Sequence, residues 1–188
     1  MVGDAQATRQ RLLEAASREF AAYGIAGARV DRIAAAAKSN KAQIYHYFES
    51  KDGLFDAVFN ALVADAVREV PLDVDDLPGY AGRLFDGYEA HPEVARLATW
   101  YRLERAGSQA PLESIIASNR HKVERIEQAQ REGLLTTRYK AVDLLALVVH
   151  LASLWTATTP EFTTLVAGHS RADRRKIVTD AVAALLTP

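Results

Sequence analysis

The chain has 188 residues, of which 49% are hydrophobic and 25% are charged, a composition that supports a globular fold with a substantial core. It contains no cysteine, which excludes disulfides and thiolate metal sites, and we expect a reducing, cytoplasmic location. The first residues lack the apolar segment of a signal peptide, and no apolar run reaches the ~20 residues of a membrane span. We therefore expect no membrane contact.

The net charge of −1 is unevenly distributed along the chain. Residues 1–51 hold eight Lys and Arg against five Asp and Glu, whereas the remaining residues hold 15 against 19. A basic N-terminal part on an acidic remainder is typical of a protein that contacts nucleic acid at one end. A chance fluctuation would give the same imbalance, so the charge alone does not decide the function.

Helical periodicity runs through the chain, and no stretch alternates as a β-strand does. The first helix is predicted over residues 4–23, because apolar residues repeat at helical spacing up to Gly24. Two short helices follow, and a long fourth helix begins near Lys51. Prolines mark several later helix starts, and these helices are predicted over residues 78–90, 92–106, 111–132, 140–158, 160–168 and 171–187. The chain is therefore predicted to be all-α, with nine or ten helices.

The stretch SNKAQIYHYFESK, residues 39–51, carries the clearest functional signal. Two short helices after a longer one are typical of a three-helix, helix-turn-helix DNA-binding head. If Ile44 faces the core of this head, Phe48 and Tyr47 fall on the buried side of the third helix. We therefore predict a DNA-binding domain at residues 1–50 and a larger helical domain at residues 51–188.

The outer face of the third helix carries side chains with distinct uses at DNA. Gln43 can pair with adenine, Lys41 can reach guanine or phosphate, and the small Ala42 can touch a thymine methyl group. Helix capping or phosphate contacts are expected from Asn40, Tyr45, His46 and Lys51. Each of these residues alone is explained as readily by packing against neighbours, but together they favour DNA binding.

Residues 29–59, RVDRIAAAAKSNKAQIYHYFESKDGLFDAVF, resemble the head of the TetR family of bacterial transcriptional regulators. The similarity extends back through RQRLLEAASREFAAYG, residues 9–24, and so covers about the first third of the chain. The resemblance implies a homodimer that binds a palindromic operator in double-stranded DNA. It also implies that the larger helical domain binds a small-molecule effector, whose identity the sequence does not indicate.

The family's contact residues can be carried over to matching positions. Tyr45 and Lys51 match its phosphate-contacting tyrosine and lysine, and Lys41 and Gln43 match its base-reading positions. Tyr47 matches a position that contacts the DNA backbone in some members. That role conflicts with the buried orientation predicted from the helical wheel, so Tyr47 is the weaker candidate.

Three positions depart from the family pattern. Arg29 stands where the family usually has Thr or Ser as a helix cap and phosphate contact, so it can reach phosphate but cannot cap. Lys38 and Ser39 stand where the family usually has Gly and an apolar residue in the helix-turn-helix turn. We therefore expect either a positive φ at Lys38 or a turn of another shape.

The two most apolar helices of the C-terminal part are those near residues 140–158 and 171–187. Their apolar faces are too broad for a single neighbour, which predicts a four-helix interface between two copies of the chain. The residues expected there are Val148, Leu151, Trp155, Val178, Val182 and Leu185. Burial in the core of a monomer is the alternative.

Aromatic residues with polar tips on several C-terminal helices indicate a ligand pocket. The predicted lining residues are Tyr88, Trp100, Tyr101, His150, Trp155 and Phe162. His150 stands out because a histidine inside an apolar helix requires a polar partner. Plain core packing is the alternative for each of these residues.

The predicted function is transcriptional regulation, most simply as a repressor that an inducer releases when the fourth helix moves the heads out of register. The chain has no nucleophile motif or phosphate loop, and its five histidines form no metal-binding pair, so we expect no enzyme activity, no metal and no cofactor. Two alternatives stay open at this point. The first is a helical protein-interaction module, and the second is a regulator without an effector.

Overall fold

The computed structural model describes residues 2–105 and 112–187, and this part of the chain contains ten α-helices and no β-strand. The expected start of the seventh helix at Pro111 lies outside the described residues. In chain order the helices are α1 (Val2–Gly27), α2 (Val30–Ala36), α3 (Lys41–Phe48), α4 (Lys51–Glu69), α5 (Leu77–Ala90), α6 (Pro92–Arg105), α7 (Glu113–Arg131), α8 (Ala141–Ala152), α9 (Pro160–Leu165) and α10 (Arg171–Leu186). The all-α prediction is confirmed.

The helices form two compact units, which we name the head unit and the body unit. The head unit comprises Met1–Asp65 and Glu93–Ile115, and the body unit comprises Ala66–Pro92 and Ile116–Pro188. The head unit is therefore larger than the predicted domain 1–50 and includes most of α6. The functional division into residues 1–50 and 51–188 stays a prediction.

The core of the head unit joins α1, α4 and α6 through aromatic rings. Phe20 of α1 meets Phe55 of α4 edge to face, with ring centroids 5.2 Å apart. Tyr101 of α6 stacks on Phe59 of α4 at 4.4 Å. Aromatic pairs in these arrangements stabilise a core beyond the burial of their area, so α6 belongs to the fold of the head.

The α1 helix is interrupted at Gly24, near the point where the sequence predicts its end. Gly24 has φ 71° and ψ −179°, and a further short turn continues to Gly27. This conformation is almost restricted to glycine, and a side chain at this position would also collide with Trp100 of α6. The glycine therefore serves both the backbone turn and the close approach of α6.

The body unit is held together by an apolar core and by ion pairs between α5 and α10. Asp86 of α5 accepts hydrogen bonds from Arg171 and Arg175 of α10, at 2.6 and 2.8 Å. Glu89 of α5 accepts one from Arg174 at 2.8 Å. These carboxylates offset the unfavourable placement of three cations in the first turns of α10, where the helix dipole disfavours positive charge.

The helix predicted over residues 140–158 is shorter in the structure. It ends at Ala152, and residues Leu154–Ala157 form a 3₁₀ turn instead. Ser153 lies between the two segments, and its hydroxyl donates a hydrogen bond to the carbonyl oxygen of His150 at 3.1 Å. Within the described ranges, no helix combines the length and apolar character needed to cross a bilayer.

Candidate nucleic-acid interface

The start of α3 is fixed by a helix cap that the sequence predicts. The side chain of Asn40 accepts a hydrogen bond from the backbone N–H of Gln43 at 3.0 Å. Lys38, in the preceding turn, has φ 50°, so the first of the two expected turn geometries is the one adopted. The cap leaves the other free N–H groups at this helix end directed outward, where they favour an anion.

The two faces of α3 are divided as the helical wheel predicts. Ile44 and Phe48 are buried in the core of the head unit, and Tyr47 packs partly against that core. Gln43 is half-buried, and the exposed ridge consists of Lys41, Ala42, Tyr45 and His46. Four of the predicted contact residues therefore lie on the exposed side of α3.

Lys41 is held at the N-terminal end of this ridge by an ion pair. Its ammonium nitrogen lies 2.7 Å from a carboxylate oxygen of Asp31 in α2, and both side chains remain largely exposed. The hydrogen bond that Lys41 donates to Asp31 raises the pKa of Lys41 above its ordinary value. The charge of Lys41 is thus retained at physiological pH, while its position is restricted to the surface between α2 and α3.

The aromatic part of the ridge is arranged around Tyr45, whose side chain is 48% exposed. Next to it, the rings of His46 and Tyr47 meet edge to face with centroids 5.1 Å apart. Arg9 of α1 lies over the ring of Phe48, with 5.3 Å between its guanidinium carbon and the ring centroid. This contact joins α1 to the buried side of α3 near its C-terminal end.

Lys51, the other predicted phosphate contact, lies at the start of α4 and faces the connection between α1 and α2. Its ammonium nitrogen donates to the carbonyl oxygens of Ala26 and Ala28, both at 3.3 Å. These bonds use two of its three donor hydrogens, and the third remains for a phosphate oxygen. The geometry thus orients Lys51 before any DNA is bound.

Arg29 begins α2 without a side-chain cap, as the departure from the family pattern predicts. Glu19 of α1 instead accepts the backbone N–H of Arg29 itself at 2.9 Å and pairs with Arg32 at 2.5 Å, so it ties α1 to the start of α2. Partial burial raises the pKa of Glu19, but the hydrogen bonds from Arg32 and the Arg29 amide outweigh it and hold the pKa below its usual value. Sequence reasoning missed Glu19, because nothing local relates it to position 29.

The structure does not bring the six predicted pocket residues together within either unit. Trp100 and Tyr101 belong to the head unit, where Trp100 packs on Gly24 and Tyr101 stacks on Phe59. Both residues therefore have packing roles in the head. The other four, all in the body unit, are Tyr88, His150, Trp155 and Phe162.

Two of the body-unit candidates are at the surface. His150 is exposed and bonds through Nδ1 to the carbonyl of Ala146 in its own helix at 2.7 Å. His150 therefore has the polar partner that the sequence predicts, but within its own helix, and α8 turns the side chain outward rather than into the core. Phe162 is 48% exposed. Trp155 is half-buried and donates its indole N–H to the carbonyl of Arg174 at 3.3 Å.

Tyr80 of α5 is the polar residue of the body core that sequence reasoning missed. Its side chain is fully buried, and its hydroxyl has no hydrogen-bond partner among the described residues. Burial, with a smaller contribution from Tyr88, raises the pKa of Tyr80 to about 12. No local signal distinguishes it from Tyr88, because both are tyrosines in the same helix.

The clefts among the described residues include one open cleft in the head unit and one in the body unit. The head cleft has a volume of about 640 Å³ and lies between α1 and α4, with Leu13 and Leu62 among its lining residues. The body cleft has a volume of about 530 Å³ and lies between α7 and α8, with Val123 and Val142 among its lining residues. None of the predicted pocket residues lines either cleft.

The predicted dimer residues are divided between core and surface. Three of them are buried inside the body unit, namely Val148, Val178 and Val182. Their assignment to a subunit interface is corrected, because their own protomer already covers them. The remaining three are partly buried, namely Leu151, Trp155 and Leu185. The outer faces of α8 and α10 instead expose Val142, Leu147 and Ile177.

Comparison with known proteins agrees with this arrangement of helices. Residues 12–58 match the family model of bacterial regulatory proteins of the tetR family, and residues 76–183 match the tetracyclin repressor-like C-terminal domain. The chain belongs to the TetR family. It is therefore a helix-turn-helix regulator of transcription, and α2 and α3 are its DNA-binding motif.

Individual relatives support the same conclusion. The HTH-type transcriptional repressor SCO4008 of Streptomyces coelicolor is 40% identical to this TetR-family chain over 166 residues, which cover 88% of the chain and 86% of the relative. The HTH-type transcriptional repressor NicS of Pseudomonas putida is 39% identical over 104 residues, covering 50% of this chain and 49% of NicS. The structure of transcriptional regulator SCO4942 from Streptomyces coelicolor is similar with a TM-score of 0.83 and 41% identity, covering 95% of this chain and 97% of that one.

Proposed function

We propose that this protein is a cytoplasmic transcriptional repressor that binds a palindromic operator as a homodimer and is released by a small-molecule effector. The observation that carries the proposal is the exposed ridge of α3, where Lys41, Ala42, Tyr45 and His46 lie on the face opposite the buried Ile44. A helix that presents such a ridge can enter a major groove of about 12 Å width. The function is binding, and we assign no catalysis to the chain.

The roles proposed for individual residues follow from where their side chains lie. Lys41 and Gln43 read base edges, and Ala42 allows the helix to approach closely. Phosphate contacts come from the residues around the ridge, namely Arg29, Tyr45, His46, Tyr47 and Lys51, with the capped helix end at Asn40 adding its free N–H groups. The half-buried Tyr47 can contribute only its hydroxyl.

The homodimer is supported by the outer faces of α8 and α10. Val142 on α8 is 54% exposed and Ile177 on α10 is 40% exposed, and Leu147 of α8 is also exposed. Apolar side chains exposed on two helices favour contact with a second copy of the chain, which would bury them on both protomers. Leu151, Trp155 and Leu185, which are partly buried, would be completed by the same contact.

Effector binding is supported by the unpaired hydroxyl of Tyr80. A buried polar group without a partner is unfavourable, and a ligand that offers a hydrogen-bonding atom would relieve that cost. The half-buried Tyr88 of the same helix is the nearest candidate for a second polar contact. We propose that an effector with an apolar body and a polar group enters the body unit beside these two tyrosines.

The test is selection of duplex DNA from a random pool by the purified full-length protein at two salt concentrations. The proposal predicts enrichment of a palindrome whose half-sites lie about one helical turn apart, and binding that weakens steeply with salt. Gln43→Ala should relax preference at particular bases, whereas Tyr45→Phe should weaken binding to all sequences equally. Absence of any enriched duplex at either salt would contradict the proposal and favour a protein partner for the ridge.

A further inference from the structure

The carboxylate of Glu104, near the C-terminal end of α6, binds the backbone of the connection between α1 and α2. One oxygen accepts the N–H of Ile25 at 3.0 Å, and the other accepts the N–H of Ala26 at 2.8 Å. The contact joins residues 79 positions apart in the chain. A carboxylate that accepts two adjacent backbone N–H groups forms charge-assisted bonds, which are stronger than neutral ones.

The two amides are available because Gly24 interrupts α1. With φ 71° at Gly24, the N–H groups that follow begin a new turn and lose their partners in the preceding helix. The missing side chain of Gly24 also leaves room for Glu104 and Trp100 to reach this backbone. The glycine and the glutamate thus form one local arrangement.

Lys51 holds the same connection from its other side. While Glu104 accepts from the amides of Ile25 and Ala26, the ammonium of Lys51 donates to the carbonyls of Ala26 and Ala28. An anion and a cation therefore bind opposite polar groups of one short backbone segment, which we name the 25–28 turn. The position of the Lys51 ammonium depends on the carbonyl groups of this turn, and hence on what holds the turn in place.

Glu104 itself is anchored by its neighbours in α6. Arg105 donates to Asp56 of α4 at 3.0 Å, and its guanidinium lies 3.5 Å from Asp52. Tyr101, one turn earlier, stacks on Phe59. These contacts fix the end of α6 against α4, so the carboxylate reaches the 25–28 turn from a rigid support.

We infer that Glu104 is a positioning residue for operator binding: it holds the 25–28 turn so that Lys51 is oriented towards a DNA phosphate. The inference rests on the proposed operator binding and adds to it a residue outside the helix-turn-helix. A carboxylate adds negative charge to the head, which by itself repels phosphates. If Glu104 acted only through its charge, its neutralisation should strengthen DNA binding. If it positions Lys51, its neutralisation should weaken DNA binding.

The test compares Glu104→Gln with the wild-type protein on the duplex that the wild type selects from a random pool. Glutamine offers one acceptor oxygen and places an amide group where the second acceptor was, so one of the two backbone bonds is lost. We expect binding to weaken by about tenfold for each head, the scale of one charge-assisted contact, and so by about a hundredfold for a dimer with two heads. The magnitude of the slope of log affinity against log salt should fall by about 1.8, because each of the two heads loses one phosphate contact.

Matched variants separate positioning from charge and from folding. Glu113→Gln makes the same substitution at an exposed site of the head unit and should leave affinity unchanged or slightly raised. Glu104→Asp keeps the carboxylate at shorter reach and should recover part of the affinity. Amide exchange at Ile25 and Ala26 should accelerate in Glu104→Gln, while the thermal midpoint shows that the variant remains folded.

A double-mutant cycle decides whether Glu104 acts through Lys51. If it does, Lys51→Ala combined with Glu104→Gln binds no more weakly than Lys51→Ala alone. Additive losses, or Glu104→Gln binding as tightly as the wild type or more tightly, would overturn the inference while the proposed function stands. Failure of the wild type to select any duplex would overturn the proposed function, and the inference with it.

Discussion

Removal of the Tyr80 hydroxyl should make the protein more stable. Tyr80 is fully buried and its hydroxyl has no partner, so the folded state carries the cost of a desolvated polar group. That cost is about 1–3 kcal/mol in mutational data, whereas the ring and its packing are unchanged in Tyr80→Phe. After a small loss of contacts around the missing oxygen, we expect a net gain of about 1 kcal/mol. For a chain of this length the gain corresponds to about 2–4 °C in the thermal midpoint.

The assay is thermal and urea unfolding of the wild type, Tyr80→Phe and the control Tyr45→Phe. Tyr45 is 48% exposed, so its hydroxyl is hydrated in both states and its removal should leave stability nearly unchanged. A loss of 1 kcal/mol or more in Tyr80→Phe would refute the reasoning, because it would mean that the hydroxyl has a favourable partner such as a buried water. The same variant should bind the effector more weakly if the proposed pocket is correct.

The pH dependence of folding stability gives a second comparison of the wild type with Tyr80→Phe. The pKa of Tyr80 in the folded state is raised to about 12, above the value of about 10 for an unperturbed tyrosine. Because ionisation of Tyr80 is harder in the folded state, it favours the unfolded state: stability is unaffected below pH ~10 and falls as the pH rises towards 12. The wild type should therefore lose more stability than Tyr80→Phe between pH 10 and 12, measured as the shift in urea midpoint.

Three further predictions concern the head unit. Asn40→Ala removes the cap of α3 and should lower the free energy of unfolding, measured in urea, by about 0.5–2 kcal/mol. It should also weaken binding to every duplex, and an unchanged free energy of unfolding would contradict the role of Asn40 as a cap. Gly24→Ala places a side chain at φ 71° against Trp100 and should destabilise the fold by at least ~1–3 kcal/mol, whereas Gly87→Ala, in open space on α5, should change stability far less. Glu19 has a lowered pKa, so its contribution to folding stability is complete above pH ~4.3 and is lost on acidification. The difference in free energy of unfolding between the wild type and Glu19→Gln should therefore shrink from pH 6 to pH 3. A constant difference would contradict the lowered pKa of Glu19.

The orientation of α3 could be predicted because its evidence is local. Ile44 and Phe48 are four residues apart on a helix, so their burial determines which side chains face outward. The cap at Asn40 and the positive φ at Lys38 are equally local, since each depends on the residues next to it. Proline and glycine also indicated several helix boundaries, whereas the apolar spacing extended the helix predicted over 140–158 beyond its end at Ala152.

Contacts between distant segments could not be predicted. Glu19 binds the backbone N–H of Arg29 from ten residues away, and Glu104 binds the 25–28 turn from 79 residues away. Both are single carboxylates on helices rich in charged residues, and nothing in the sequence distinguishes them from solvated ones. Only the packing of α1 and α6 in the head unit brings them to the backbone groups that they bind.

The apolar helices show a different limit of sequence reasoning. The periodicity of α8 and α10 indicates two apolar sides, but it does not say which side the protomer covers itself. The structure places Val148 and Val182 inside the body unit and leaves Val142 and Ile177 outside. Tyr80 and Tyr88 pose the same problem, since their identical side chains differ in burial only through the helices packed around them.

The inclusion of segment 93–115 in the head unit bears on how regulators of this family can be recombined. A chimera that joins the first four helices of this chain to the C-terminal domain of a relative would lack Tyr101, Glu104 and Arg105. It would therefore lose the ring that stacks on Phe59, the carboxylate that binds the 25–28 turn and the cation that pairs with Asp56. Operator recognition would then depend on whether the donor's own sixth helix fits the recipient's first and fourth. Chimeras that keep α6 of this chain should bind its DNA target more often than chimeras joined near residue 50.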